Sequence, residues 1–470
     1  MPFPTVGKDE FDIVVVGGGL AGHCAALASA ELGARVALIE KMPQTGGSTV
    51  LSGGFMAFAN TPMQHEAKLT DSDELLLEDL RSVGGSDADE DLMQAYAAGQ
   101  ASLFDWLHGH GVRFAALEHS AGQSVARSHQ TDPKQMLQVL AEQLNKYSQV
   151  RIRTDARAVA LVRDHLDGPV AGVDVQVGDA LERWRCSGGV VLASGGFSRS
   201  EALLRLFAPL QADAVRIGGP GNTGDGLRMA WKLGAGMRDM GQIRGTFGSH
   251  PNCTPERHEI LLAFYLGAII VNLAGKRFVD ESQSYKILGD ACLAQQEHRA
   301  FQIFDQAVMN KSSPGVPLFD FQPALQSGLL VAGNSIEELA TRCGIEPETL
   351  RQTVERYNAG VDEGRDPEYG RDGLCHHAGA RCRIDRAPFY GYLSTSALLA
   401  TYCGLDVDAR ARVRDVYGET IPGLYAAGEI VGGFHGQAYM TGTSLGKAAL
   451  FGRIAGINAF ARSREISVAP

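Results

Sequence analysis

Residues 11–41 read FDIVVVGGGLAGHCAALASAELGARVALIEK, and the order of residue types in this stretch decides the fold. FDIVVV is apolar and β-branched at strand length, GGGLAG is a turn, HCAALASAELGA is made of small helix formers, and RVALIEK is a second strand ending in an acid. Strand, glycine turn, helix, strand is a βαβ unit, which implies a parallel sheet. Gly17, Gly19 and Gly22 have the spacing at which glycines allow a tight turn and let backbone approach a pyrophosphate, with the helix N–H groups aimed at it. Glu40 ends the second strand, where a carboxylate accepts from ribose hydroxyls and disfavours a 2′-phosphate. A bound dinucleotide is therefore expected.

Outward from this unit, residues 70–112 show helical spacing in LLLEDL and LFDWLHGHG, and residues 134–147 form an amphipathic helix. RIRTDARAVALV, GPVAGVDVQV and GGVVLAS read as strands. From about Gly241 the sequence turns irregular and Pro-bearing with short helices, until strand-like residues resume near RAPFYGYL. The fold expected is α/β: a discontinuous Rossmann-like domain over 1–238 and 389–470, with an α+β capping domain inserted at 239–388. Residues Leu393–Ala461 rejoin the first domain.

Composition narrows the function. At 470 residues the chain exceeds one hydrophobic core, and its 57 glycines are about twice the usual share, which fits a large ligand met by backbone. A net charge of −11 leaves no concentrated basic face, so no nucleic-acid partner is expected. No apolar run approaches the roughly 18 residues of a membrane span, and residues 1–12 carry no basic and apolar leader pattern, so the expectation is a cytoplasmic protein without an integral membrane segment. Eight cysteines without a CxxC suit a reducing compartment and do not encode an iron–sulfur or haem site. Cys375, His376, His377 and Cys382 match no common zinc spacing, and no metal is expected. A second glycine pattern, Gly219 to Gly224, contains Pro220 and follows no buried strand. It reads as a loop before a helix capped near Asp225, so NAD(P)H is not an evident co-substrate.

EKMPQTGGSTVLSGG, VVLASGGFSR, NTGDGLRMAWKLGA and IPGLYAAGEIVGGFHGQ…GTSLGKAALFGRIAG occur in one order over residues 11–460. Together they resemble the fumarate reductase/succinate dehydrogenase flavoprotein superfamily, which also contains 3-ketosteroid dehydrogenases and tricarballylate dehydrogenase. The resemblance implies FAD, held between the dinucleotide and capping domains. It places Gly46, Gly47, Ser48, Ser52, Gly53 and Gly54 along the flavin, Glu429 on the ribityl chain, and Ser444 and Leu445 at the pyrimidine edge. Around the same cofactor it sets Gly17, Gly19, Leu20, Ala21, Gly22, Glu40, Lys41, Ala193, Ser194, Gly195, Asn222, Thr223, Asp225, Gly428 and Gly442. Ser48 stands where succinate dehydrogenases carry the flavin-linking histidine, so the FAD is expected to be non-covalent.

The expected partners are a small-molecule substrate and an electron acceptor that the sequence leaves open. Dicarboxylate reductases of the family clamp substrate with arginines, because a desolvated carboxylate needs a bidentate cation. Aligned by the resemblance, Tyr285 in GKRFVDESQSYK and Tyr439 in GGFHGQAYMTG fall at two such arginine slots. Ala400 falls at a substrate histidine, and Leu261 and Phe264 at a proton relay, while His250 is kept. Two phenols and an apolar wall resemble the ketone dehydrogenases, in which one phenol polarises a carbonyl and another takes the α-proton. Tyr439, Tyr285, Thr441 and His250 are the expected catalytic residues, with Thr441 orienting Tyr439. The favoured activity is α,β-dehydrogenation of a ketone. A dehydrogenase or ene-reductase of a carboxylate is the alternative, with Arg244, Lys286 or Arg127 as anion clamp. A non-catalytic flavin electron carrier is a further alternative.

Overall fold

The computed structural model describes residues 10–468 apart from 121, 244, 254–258, 317 and 376–378, so Arg244, His376 and His377 lie outside the described residues. The chain forms two compact units, Met1–Leu203 with Gly218–Ile243 and Ala400–Pro470, and Leu204–Ile217 with Arg244–Leu399. The sequence reading drew one insertion at 239–388. The structure instead gathers Leu204–Ile217 and Phe389–Leu398 into the second unit, because Val215–Arg216 pairs in parallel with Ala397 and Leu398 of the strand Phe389–Leu398. Among the described residues no helix is long and apolar enough to cross a membrane.

In the first unit, β1 (Glu10–Val16), α1 (Leu20–Glu31) and β2 (Val36–Ile39) follow the order read from the sequence. β1 lies between β2 and Ala180–Leu192, parallel to both, with Val14 opposite Ala37 and Val190. Thr420–Ala426 extends the parallel sheet beyond Ala180–Leu192, and Val150–Arg153 extends it beyond β2. RIRTDARAVALV is two strands rather than one. Asp155 takes a positive φ of 50°, which a non-glycine residue adopts mainly at turns, and Ala156–Arg163 turns away to pair with Val170–Val177.

α1 is buried nearly throughout, from Leu20 to Ala30, because the helix Thr443–Val468 packs against it. The approach is close: a Cβ on Gly452 would sit 2.3 Å from Ala21 O, and one on Gly456 2.3 Å from Ala25 O. This explains why α1 consists of small residues on every face instead of carrying an amphipathic stripe.

The second unit is built on a mostly antiparallel sheet in the order Val215–Arg216, Phe389–Leu398, Ala300–Asp305, Ile269–Asn272, with Thr246–Ser249 and Leu330–Gly333 also on Phe389–Leu398. Successive residues point to opposite faces. Ile270, Ala300 and Phe304 join a core with Phe247, Phe264 and Leu288. Ile269, Val271, Phe301 and Ile303 join another with Leu339, Leu350 and Val354.

Gly452→Val should overpack the contact with α1 and cost about 2 kcal/mol or more. Thermal unfolding and FAD retention measure this. A variant with wild-type midpoint and FAD content would show that the two helices do not need this approach.

Candidate active site

The residues expected at the cofactor gather at the carboxyl ends of parallel strands in the first unit. Gly17 follows β1, Glu40 follows β2, Ala193–Gly195 follow Ala180–Leu192, and Gly428–Glu429 follow Thr420–Ala426. In open α/β sheets ligands bind at this end, where the chain departs to opposite sides of a central strand. Gly17 has φ 113°, and a Cβ there would lie 2.3 Å from Ala193 O. A Cβ on Gly22 would lie 1.9 Å from Gly17 O, so neither position accepts a side chain. Gly19, the N-cap of α1, supplies no capping side chain, and Thr49 Oγ1 accepts from Leu20 N at 3.1 Å. Glu40 accepts from Gly18 N at 2.8 Å and Met42 N at 2.9 Å, which fixes its carboxylate beside the glycine turn. A side-chain-free turn, a helix N-terminus and an anchored acid fit the pyrophosphate and ribose of FAD.

The second glycine pattern belongs to the same cradle. Gly219 N donates to Ser48 Oγ at 3.0 Å, and a Cβ on Gly219 would meet Ser48 N at 2.7 Å. Asn222 Nδ2 donates both to Ser48 Oγ and to Glu429 Oε2, each at 2.9 Å. Glu429 Oε1 accepts from Thr401 N at 3.0 Å, and a Cβ on Gly196 would lie 2.3 Å from that oxygen. Burial raises the Glu429 pKa, while the Thr401 and Asn222 hydrogen bonds pull it back. A carboxylate with four protein donors around it is held as a rigid hydrogen-bond acceptor. Lys41 Nζ donates to Thr223 Oγ1 at 2.6 Å and Asp225 at 3.0 Å. The helix does begin at Asp225, but the Asp225 carboxylate turns to Lys41 and Arg157 instead of capping it.

Tyr439 also lies in this unit. Its phenol oxygen accepts from Gly442 N at 3.1 Å, just before the helix Thr443–Val468. Burial raises its pKa against the opposing pull of the Gly442 and Ser444 amides. Thr441 uses its carbonyl to accept from Gln123 Nε2 at 2.9 Å. Arg127, one of the clamps the carboxylate alternative offered, is fully buried and committed to Asp71 and Asp79, so it is not available to an anion.

Tyr285, Lys286 and His250 lie in the second unit. Ser284 caps the helix Tyr285–Leu293 by accepting from Lys286 N. The approach to it is held by a buried ion network that the sequence reading did not identify. Arg277 pairs with Glu281 at 2.7 Å and Asp366 at 2.8 Å, and Arg371 pairs with Glu281 at 3.2 Å. The Arg277–Glu281 spacing within GKRFVDE was the available signal; Asp366 and Arg371 had none. Lys286 Nζ donates to Thr246 Oγ1 at 3.0 Å and lies 5.4 Å from the Tyr285 ring centroid. Burial lowers its pKa to about 7, against the raising influence of Asp290. His250 is buried, and its Nδ1 accepts from Asn252 N at 3.2 Å. That bond selects the neutral tautomer with hydrogen on Nε2.

Fold and cradle define an FAD-dependent oxidoreductase. A family model described as FAD binding domain matches residues 12–445, and the chain belongs to this family. It is 31% identical over 464 residues to fumarate reductase (cytochrome) of Shewanella frigidimarina, covering 97% of this chain and 78% of the relative. It is 30% identical to urocanate reductase of Eggerthella lenta, covering 96% of this chain and 75% of the relative. The structure of 3-ketosteroid-Δ4-(5α)-dehydrogenase from Rhodococcus jostii RHA1, in complex with 4-androstene-3,17-dione, matches with TM-score 0.77 and 26% identity over 97% of this chain and 98% of that one. The protein is a flavin-dependent oxidoreductase acting on CH–CH groups.

The lowered pKa of Lys286 has a consequence for stability. From about 7 up to the ordinary 10.5, the unfolded chain holds a proton that the folded chain has released. Lysine at this position therefore costs stability at low pH, and the cost fades as pH rises through that window. Lys286→Met should stabilise the protein most below pH 7, by on the order of a few kcal/mol, with the gain shrinking towards pH 10. Denaturant titrations of variant and wild type across this range measure the difference, and a gain independent of pH would refute the assigned titration.

Proposed function

We propose that this oxidoreductase interconverts a carbon–carbon double bond conjugated to a single carboxylate and its saturated counterpart. The observation that carries this reading is the placement of Lys286, a buried amine at the start of the helix Tyr285–Leu293, whose Nζ lies 3.0 Å from Thr246 Oγ1 and 5.4 Å from the Tyr285 ring centroid. By the resemblance, Tyr285 and Tyr439 stand at the arginine slots of the dicarboxylate reductases, so one amine takes the place of a guanidinium clamp, which suits one carboxylate better than two. The relative named urocanate reductase supports an unsaturated acid as substrate.

FAD held by the glycine turn, Glu40 and Glu429 would supply the hydride chemistry at the β-carbon. Protonated Lys286 pairs with the carboxylate and draws charge from the double bond. Tyr285 exchanges the proton at the α-carbon, and His250 offers Nε2–H as a neutral donor. Tyr439, with its oxygen on the Gly442 amide, is the acid–base group of the flavin-binding unit. The FAD is held without a covalent bond at Ser48, whose hydroxyl already accepts from Gly219 and Asn222. Eight cysteines, none of them in a disulfide, support a cytoplasmic location.

A second reading, desaturation of a cyclic ketone, is favoured by the two phenols and by the ketosteroid dehydrogenase similarity. The two are separated by anaerobic rapid mixing. Photoreduced enzyme should be reoxidised at least about tenfold faster by acrylate or cinnamate than by fumarate. Its kcat/KM should fall as pH rises through about 7 while Lys286 loses its proton. Fumarate as the fastest oxidant, or bleaching of oxidised enzyme by a saturated 3-oxosteroid alone, would displace the carboxylate reading.

Tyr285→Phe and Tyr439→Phe should each lower kcat by roughly 10²-fold with a smaller change in KM. Acid precipitation of the wild type should leave yellow FAD in the supernatant, whereas flavin carried down with the protein would show a covalent link.

A further inference from the structure

Lys447, in the segment GTSLGKAALFGRIAG, is a buried amine of the first unit that the proposed reaction leaves unused. It stands one turn into the helix Thr443–Val468, and its Nζ donates to Val431 O at 2.9 Å. Val431 follows the short turn Gly428–Ile430, which carries Glu429. The same segment is held from a second side, where Asp239 accepts from Gly433 N at 2.7 Å. The Phe434 ring lies against the amine, with its centroid 5.8 Å from Nζ. A cation over a ring face is attracted to it, most of all where water is excluded.

Removing an ammonium from water is costly unless hydrogen bonds and opposing charge compensate. Burial lowers the Lys447 pKa to about 8, against the raising influence of Glu429, Asp239 and Cys403. Those three groups are themselves pushed towards their neutral forms, since burial raises the pKa of each. The amine thus keeps its charge at neutral pH and gives it up in mild alkali. It does so in the helical turn that contains Ser444 and Leu445, assigned to the pyrimidine edge, and against the segment of Glu429, assigned to the ribityl chain.

Reduced FAD carries more negative charge than oxidised FAD. A positive charge fixed beside it stabilises the reduced form more and raises the reduction potential, and a buried charge is little screened by salt. We propose that Lys447 sets the reduction potential of the bound flavin, its ammonium favouring the reduced form, and that it couples flavin reduction to proton uptake. This role rests on the placement of Glu429 and of the first helical turn at the flavin, and it is independent of which substrate is reduced. Two electrons pass to FAD from the reductant, whether substrate or dye. Where the oxidised enzyme has released the Lys447 proton, the negative charge gained draws a proton from solvent back onto Nζ, and that N–H is the one bond formed at the lysine.

The test is the potential of the FAD-loaded protein, read by equilibration with a reference dye during slow photoreduction across neutral and alkaline pH. At pH 7, Lys447→Met should lower the ratio of reduced to oxidised flavin at fixed dye potential by at least about tenfold, roughly 30 mV for a two-electron couple. The difference from wild type should shrink as pH rises through about 8, because the wild type then loses the charge that the variant lacks. Lys447→Arg should match wild type at pH 7 and hold a higher potential in alkali, since a guanidinium keeps its proton. A Lys447→Met variant with the wild-type potential, or a difference that is the same at every pH, overturns the role. Should Lys447→Met lose FAD, wild type against Lys447→Arg decides, and parallel pH dependence in the two overturns it. The flavin placement is checked apart from this by Glu429→Gln, which should weaken FAD binding at least about tenfold; unchanged FAD affinity would remove the ground on which the role of Lys447 stands.

Discussion

Backbone meeting backbone is the constraint on which the first unit depends. Gly22 against Gly17, Gly17 against Ala193, and Gly452 against Ala21 are positions where a single Cβ would push main chains apart. They join the helix Thr443–Val468 to α1, and α1 to the ends of β1 and of Ala180–Leu192. The amides of the α1 N-terminus can face a pyrophosphate only because α1 sits this low on the sheet, and α1 can sit there only because its covering helix is equally close. Cofactor binding and core packing therefore draw on the same contacts.

Charge in the second unit follows a different logic. Arg277, Glu281, Arg371 and Asp366 compensate one another in the interior and fix the loop before Ser284, so removing one partner would leave an uncompensated buried ion. Lys286, just beyond that loop, donates to Thr246 Oγ1, and burial lowers its pKa against the raising influence of Asp290. A rigid ion network thus stands in the same unit as an amine whose charge burial disfavours.

Local signals were legible in the sequence and long-range ones were not. The βαβ unit could be read because strand, turn, helix and acid follow within one short stretch, and Glu40 and Gly17 fell where that reading put them. The sheet of the second unit escaped notice because both of its faces are buried. Ile269–Asn272 and Ala300–Asp305 are then buried without alternation, which cannot be told from a buried helix by pattern. Val215–Arg216 is too short to announce itself and is a strand only by virtue of its partner. Arg127 looked free because Asp71 and Asp79 lie far from it in sequence. The lowered pKa of Lys286 likewise comes from its surroundings, through burial in the folded unit.

The cover over α1 also bears on how the molecule is made. During synthesis from the N-terminus, α1 and β1 emerge early, but the helix that buries α1 emerges only with residues 443–468. The parallel strand Thr420–Ala426 is equally late, and the central strand of the second unit, Phe389–Leu398, follows most of its partners. Through most of translation the nascent chain therefore presents apolar surface and unpaired strand edges that it cannot yet close, a situation that favours aggregation and calls for chaperones. Glu429 lies past the last parallel strand of the first unit, so the contacts joining Ser48, Asn222 and Glu429 can form only after α1, β1 and most of that sheet have been made. Closure of the first unit is then a late event in the synthesis of these residues, and its early strands and α1 wait on it.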